Sequence, residues 1–319
     1  MNEPSRRVAV LGGSGFIGSV LAEHLTRAGH LPVVLTRRRE RARGVWALPT
    51  ARCVECNPYD ASALSEAIAG CDAVVNLVGI LNERGDDGDG YRRAHVDLTR
   101  GVLDACVTAG IPRYLHMSAL NAAPVAVSHY QRTKGEAEML VRGSTLAWTI
   151  FRPSLVFGPG DGLFNRFEAL TRYAPVLPLA CGHTRFQPVY VGDVAAAFVR
   201  ALDDRSSIGQ SYDLGGPRVM TLAEMVDALL TTLGRKRLVV PLGLTASRLQ
   251  AEVFEHVPGK PFSRDNFRSA SEDSVVTGDN GLERLGIVPT AVDGMIARCL
   301  GGGGGERQRY DELRSRAGR

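Results

Sequence analysis

Lysine is nearly absent from this chain. Of its 38 basic residues, all but Lys134, Lys236 and Lys260 are arginine. Long apolar stretches are missing too: none approaches the roughly 18 residues a helix needs to cross a bilayer. The start, MNEPSRR, runs into a strand-like RVAVLG without the apolar core and small-residue cleavage site of a secretory leader. The expected location is therefore cytoplasmic. Six cysteines, at 53, 56, 71, 106, 181 and 299, contain one CxxC and no second pair or neighbouring histidine, so no metal is expected. Cys53 and Cys56 fall in ARCVEC, which reads as a strand, whereas a redox pair would open a helix. A net charge of +4, without interleaved basic and aromatic residues, gives no ground for a nucleic-acid partner.

What is present is ordinary globular composition, 44% hydrophobic and 23% charged over 319 residues. The first half alternates strand and helix signals. RVAVLG (7–12), LPVVLTR (31–37), ARCVEC (51–56), AVVNLVG (73–79), YLHMSAL (114–120) and AWTIFRPSLVFG (147–158) read as strands. Between them, Ile17, Leu21 and Leu25 recur at helical spacing, and SALSEAIAG, DLTRGVLDACVTAG and KGEAEMLVRG read as helices. Near-continuous apolar strands separated by helices predict a doubly wound parallel sheet covered on both faces, an α/β fold. Residues 1–158, with parts of 184–215, are expected to form this nucleotide-binding domain. Beyond about 158, Pro and Gly become frequent, and 159–300 are expected to build mainly a smaller α+β domain for a substrate or partner. The end, 301–319, is a glycine run and a charged tail that cannot bury a core face and is expected to be flexible.

GGSGFIG places Gly12, Gly15 and Gly18 between the first strand and the first helix. Glycines at such a turn let main-chain amides approach a pyrophosphate at the helix N-terminus, the Rossmann-type arrangement. A site for NAD normally ends the second strand with an acidic residue on the ribose. Here that strand continues as Thr36, Arg37, Arg38 and Arg39, with no carboxylate before Glu40. Guanidinium groups suit an extra phosphate, so NADP(H) is favoured over NAD(H).

One of the three lysines stands in SHYQRTK, four positions after Tyr130, and residues four apart share a helix face. These segments resemble the short-chain dehydrogenase/reductase superfamily in its extended and atypical branches. The likeness covers residues 7–300 and rests on GGSGFIG, YQRTK, FRPSLVFGPGD (151–161) and QPVYVGDVAAAF (187–198). It implies that Ser118, near the end of the fifth strand, works with Tyr130 and Lys134. It implies cofactor contacts at Gly12, Gly15, Phe16, Ile17, Gly18, Arg37, Arg38, Asn57, Lys134 and Pro153. Asn57 stands where the superfamily usually has an Asp near the adenine, and its carbonyl oxygen can still accept from the adenine amine. A nearby ammonium and the charge of a bound cofactor are expected to bring the phenol of Tyr130 down from its ordinary value near 10. Lysine's compact ammonium suits that place better than a planar guanidinium.

NLVGIL (76–81), FNRFEAL (164–170), TRFQPVYVGDVA (184–195) and FSRDNFRSASEDSVV with LERLGIVPT (262–290) narrow the likeness to bacterial relatives of the NAD(P)H-binding accessory subunit of mitochondrial complex I. That resemblance implies two readings of different class. One is an NADP-dependent oxidoreductase acting on a small carbonyl or hydroxyl compound, with quinone precursors among the candidates; a sugar-nucleotide epimerase is its weaker variant. The other is a non-turning nucleotide-binding module that docks a membrane-associated or protein-complex partner, placing the chain peripherally at the inner membrane. ERGDDGDGYRRAH (83–95) fails an EF-hand count and reads as a polar loop at the crevice mouth. His95, His116, His129 and His183 read as loop or packing residues. Arg185 is a candidate for an anionic substrate group. Leu244, Leu249, Val253 and Phe254 read as core or lid packing, with a membrane-facing or quinone-facing helix as the alternative.

Overall fold

The structure, a computed structural model, describes residues 5–300, so the tail at 301–319 lies outside the described residues. Seven strands form one parallel sheet: β1 (Arg7–Leu11), β2 (Leu31–Thr36), β3 (Arg52–Glu55), β4 (Ala73–Asn76), β5 (Arg113–Met117), β6 (Ala147–Pro153) and β7 (Gln210–Leu214). Their spatial order is β7-β6-β5-β4-β1-β2-β3. The strands are apolar throughout because both faces are covered. Val8 and Val10 join one core with the helices Phe16–Arg27 and Val191–Asp203. Ala9 and Leu11 join the opposite core, under Ala61–Ile68 and Leu98–Thr108. Phe151 of β6 stacks on Phe198 with centroids 4.1 Å apart, adding aromatic contact to the first of these cores.

From β1 the chain winds outward through β2 and β3, then returns to lay β4 on the other side of β1. This reversal opens a crevice between the carboxyl ends of β1 and β4, where such sheets bind ligands. The single strand expected over 147–158 breaks after Pro153. A separate short strand, Val156–Phe157, pairs with Val189–Tyr190 instead. Residues beyond it add Arg185–Phe186 antiparallel to Met220–Thr221 and Val176–Leu179 parallel to Leu238–Pro241. Phe157, Phe164, Met220, Met225, Leu229 and Ile296 close a core of their own there. Capping residues fix several helix starts: Asp60, Asp161 and the Thr221–Glu224 box.

Cys53 and Cys56 lie along and just after β3, and burial pushes both thiols up, as expected of packing residues. No helix among the described residues is long and apolar enough to cross a membrane.

The turn after β1 depends on glycine at one point more than the others. A Cβ on Gly18 would lie 2.3 Å from the Gly12 carbonyl oxygen and 2.4 Å from Gly13 Cα, so the helix rests directly on the turn. On Gly15 a Cβ would meet only the Gly12 oxygen, at 3.2 Å. Gly18→Ala is expected to lower stability by about 1–3 kcal/mol, the usual cost of overpacking, and Gly15→Ala by about 1 kcal/mol or less. Urea unfolding of the two variants checks the order.

Candidate active site

Gly12 takes φ +76° directly after β1. A Cβ there would come within 3.3 Å of the Leu77 carbonyl carbon, so the main chains after β1 and β4 nearly touch at the crevice floor. The helix Phe16–Arg27 begins at Gly15 with no side-chain cap. Its first-turn N–H groups are therefore free for an anion, which fits a cofactor pyrophosphate. Phe16 extends its ring toward Gly158, whose Cβ would sit 3.5 Å from the ring edge. Ile17 packs its side chain against the core, leaving its main chain as the contact it could make. Pro153 is buried at the end of β6, with its carbonyl accepting from Leu120 N–H at 3.0 Å.

At the end of β2, Thr36 is buried. Its hydroxyl donates to the Arg38 carbonyl at 2.9 Å and accepts from Ser14 at 3.3 Å. This pins the main chain of Arg38 and leaves the side chains of Arg37 and Arg38 exposed. Arg93 lies over the Tyr59 ring, 4.8 Å from its centroid, and the charge of Arg37 also acts on that phenol. Asn57 is exposed, and its carbonyl oxygen already accepts from Tyr59 N–H at 3.2 Å. One lone pair is left for the adenine contact. Asp60 caps the next helix.

Tyr130 and Lys134 stand in the helix His129–Arg142, which starts one residue earlier than Tyr130. Lys134 is 3% exposed. Its ammonium donates to the carbonyls of Met117 (3.0 Å) and Val78 (3.4 Å), at the carboxyl ends of β5 and β4. Gly79 makes the room: a Cβ there would lie 3.3 Å from Lys134 Nζ. Burial lowers Lys134 to about 8. The next residue after Met117 is Ser118, also buried, and its Oγ has no hydrogen-bond partner. An orphaned buried hydroxyl, one residue after the carbonyl that receives the ammonium, is what a site awaiting a polar ligand leaves open.

For Tyr130 the protein's own surroundings act against the lowering expected from an ammonium and a bound cofactor together. Its phenol is pushed up, to about 12, and burial is the one cause. The ring is enclosed edge-on by His95 (5.4 Å) and Tyr91 (6.2 Å), and the ammonium of Lys134 faces main-chain carbonyls. At neutral pH this phenol carries its proton.

His95 packs, as its lack of a metal-like partner suggested, but its place against the Tyr130 ring was not legible from sequence. A π-helical turn, Arg93–Asp97, widens the helix and carries it inward. Its Nε2 accepts from Ile80 N–H at 3.3 Å, so the proton sits on Nδ1, which donates to Thr133 Oγ1 at 2.8 Å. Burial first, then the charge of Lys134, lowers it well below its ordinary value. His116 falls to about 3 for the same two reasons. The chain offered one hint, the helical spacing of His95 after Tyr91, which has no meaning until the π turn is known. His129 bonds Arg132 beside Tyr130.

Two other candidates do not join the site. Arg185 is paired with Asp273 at 2.7 Å, so its charge is already matched. Leu244, Leu249 and Val253 are 64%, 66% and 55% exposed, which overturns core packing for them; the helix Leu244–Glu255 buries Ser247 and Ala251 instead. In the 83–95 loop, Glu83 accepts from Gly88 and Gly90 N–H at 2.8 Å each, tying down the turn that carries Tyr91. No group of acidic, histidine or cysteine side chains suited to a metal ion occurs among the described residues.

The chain's likeness to known proteins agrees with this geometry. A model of the NAD dependent epimerase/dehydratase family matches residues 8–215. Over 308 residues the chain is 30% identical to the mitochondrial NADH dehydrogenase (ubiquinone) 1 alpha subcomplex subunit 9 of Arabidopsis thaliana, covering 91% of this chain and 76% of that one. It is 31% identical over 251 residues to a (4-alkanoyl-5-oxo-2,5-dihydrofuran-3-yl)methyl phosphate reductase of Streptomyces griseus, covering 76% and 79%. Among solved structures, MoeE5 in complex with UDP-glucose and NAD superposes with a TM-score of 0.71 at 20% identity, covering 95% of this chain and 99% of that one.

The buried ammonium predicts a stability signature. Lys134 falls from 10.5 in the unfolded chain to about 8 in the fold. Between those values the unfolded state holds the extra proton, so this group's contribution to stability improves as pH rises. Relative to Lys134→Met, the wild type should gain roughly 3 kcal/mol across that window. Urea titrations of both proteins from pH 7.5 to 10.5 test it, and a constant difference would reject the burial.

Proposed function

The chain belongs to the NAD dependent epimerase/dehydratase family, and from that membership we propose that it is an NADP(H)-dependent oxidoreductase reducing a small carbonyl compound, with quinone precursors as the first candidates. A bound nicotinamide supplies the hydride. Tyr130 donates the proton to the carbonyl oxygen, and Ser118 orients that oxygen through a hydrogen bond. Lys134 would hold the nicotinamide ribose from its place at the strand ends, and Tyr130 would regain its proton from solvent after each turnover. The observation that carries this reading is the half-buried Tyr130 one helical turn before the buried Lys134, with the unpartnered hydroxyl of Ser118 at the end of β5.

Exposed Arg37 and Arg38, with Thr36 in place of an acid, support NADP(H) over NAD(H). A second reading, a nucleotide-braced module docking a peripheral membrane or protein-complex partner, is favoured by one feature: the exposed apolar residues Leu244, Leu249 and Val253 on a single helix. The named function of the Arabidopsis relative supports it as well. In either case the working location proposed is the cytoplasm, including its membrane surface.

Tyr130→Phe keeps the packing and removes the proton. Turnover of a quinone-like carbonyl with NADPH should fall at least about 100-fold, while NADPH affinity measured by calorimetry stays within about twofold; undiminished turnover would reject the assignment. Arg37→Ala combined with Arg38→Ala should weaken NADPH by at least about tenfold, the loss of one charge-assisted contact, and leave NADH nearly unchanged. Equal losses for the two nucleotides would reject the phosphate grip.

A further inference from the structure

Tyr130 occupies the second position of its helix. The first four N–H groups of a helix have no partner within it, and the first turn is where helices fray. A reacting group placed there has an uncertain position unless something outside holds the turn. Here something does. Asp265, 2% exposed, lies in the helix Arg264–Ala270 and comes from 135 residues further along the chain. Its carboxylate accepts from His129 N–H at 2.7 Å, from Tyr130 N–H at 3.0 Å and from the Ser128 hydroxyl at 2.9 Å. Ser128 Oγ in turn accepts from Gln131 N–H at 3.4 Å. Arg132 N–H then makes the first bond within the helix, to the Ser128 carbonyl at 2.9 Å. The three amides before it, His129, Tyr130 and Gln131, are thus satisfied from outside the helix ladder, two of them by one remote carboxylate.

Asp265 is itself held. Arg268 lies 3.5 Å from it and also pairs with Asp86 at 2.9 Å, in the loop that leads to Tyr91. Tyr91 packs edge-on against Tyr130. One carboxylate therefore sits at the junction of the two segments that frame the phenol.

We propose that Asp265 is a positioning residue for Tyr130: it clamps the first turn of the Tyr130 helix and so fixes where the phenol hydroxyl stands over the crevice. The inference deepens the oxidoreductase reading at the same site, and its test reads Tyr130 directly so that the two can fail separately. Incorporate 3-fluorotyrosine and assign the Tyr130 line in the fluorine NMR spectrum by its loss in Tyr130→Phe. In folded Asp265→Asn, which keeps the shape and one acceptor, the Tyr130 line should shift or split while the lines of Tyr114 and Tyr212 stay in place. Asp265→Ala should enlarge the effect. NADPH affinity should stay within about twofold in both variants, because the clamp is remote from the glycine turn, whereas kcat for a reducible carbonyl should drop at least about tenfold with KM for NADPH unchanged. A Tyr130 line unmoved in folded Asp265→Asn and Asp265→Ala overturns the clamp, whatever the kinetics. A moved line in a protein that transfers no hydride leaves the clamp standing and overturns the oxidoreductase reading instead.

Discussion

A single buried ammonium organises this site. Lys134 has almost no contact with water, and its charge is held by two main-chain carbonyls at the ends of β4 and β5. Parallel strands supply such carbonyls because their last residues have no further ladder partner, and the helix on the other side supplies the lysine. Burying a cation this way is costly unless the donors are met. Burial lowers the proton affinity of the lysine, and burial first, then the charge of Lys134, lowers that of both histidines near it. It also explains why an otherwise arginine-based chain keeps lysine here: a planar, five-donor head cannot be satisfied by two carbonyls in a gap that only Gly79 keeps open.

The same low-polarity surroundings decide the protonation of Tyr130. Proximity in sequence suggested that lysine, with a bound cofactor, would draw the phenol down; in the protein alone, burial pushes it up. The ammonium faces the strand ends, while the phenol is lined by the edges of His95 and Tyr91, which offer no charge. Charge–charge effects and desolvation oppose each other for a phenol, and here the second is larger.

The sheet was readable from the chain because its signals are local. Each strand is a short apolar run, each helix follows within a few residues, and the glycine turn has its own spacing. Serine, tyrosine and lysine were readable because they lie in segments whose positions follow from that order. Three features were not. The π turn that brings in His95 leaves no mark on residue spacing. Arg185 looked available until its partner, Asp273, proved to stand beside it across 88 positions. Asp265 lies in FSRDNF, where nothing distinguishes it from any acidic residue in a helix's first turn. Its partners are set by tertiary contacts, which neither periodicity nor propensity encodes.

That last contact bears on the order in which the molecule matures. Chains fold largely in the direction of synthesis, amino end first. The glycine turn and six of the seven strands are complete once Pro153 has emerged, and the last strand closes the sheet at Leu214. At that moment the stretch around Ser128 still has nothing to receive its amides, because the carboxylate that holds them is some fifty positions away on the ribosome. A nascent chain can therefore own a finished glycine turn and most of its sheet before the start of the Tyr130 helix has the partner that holds it.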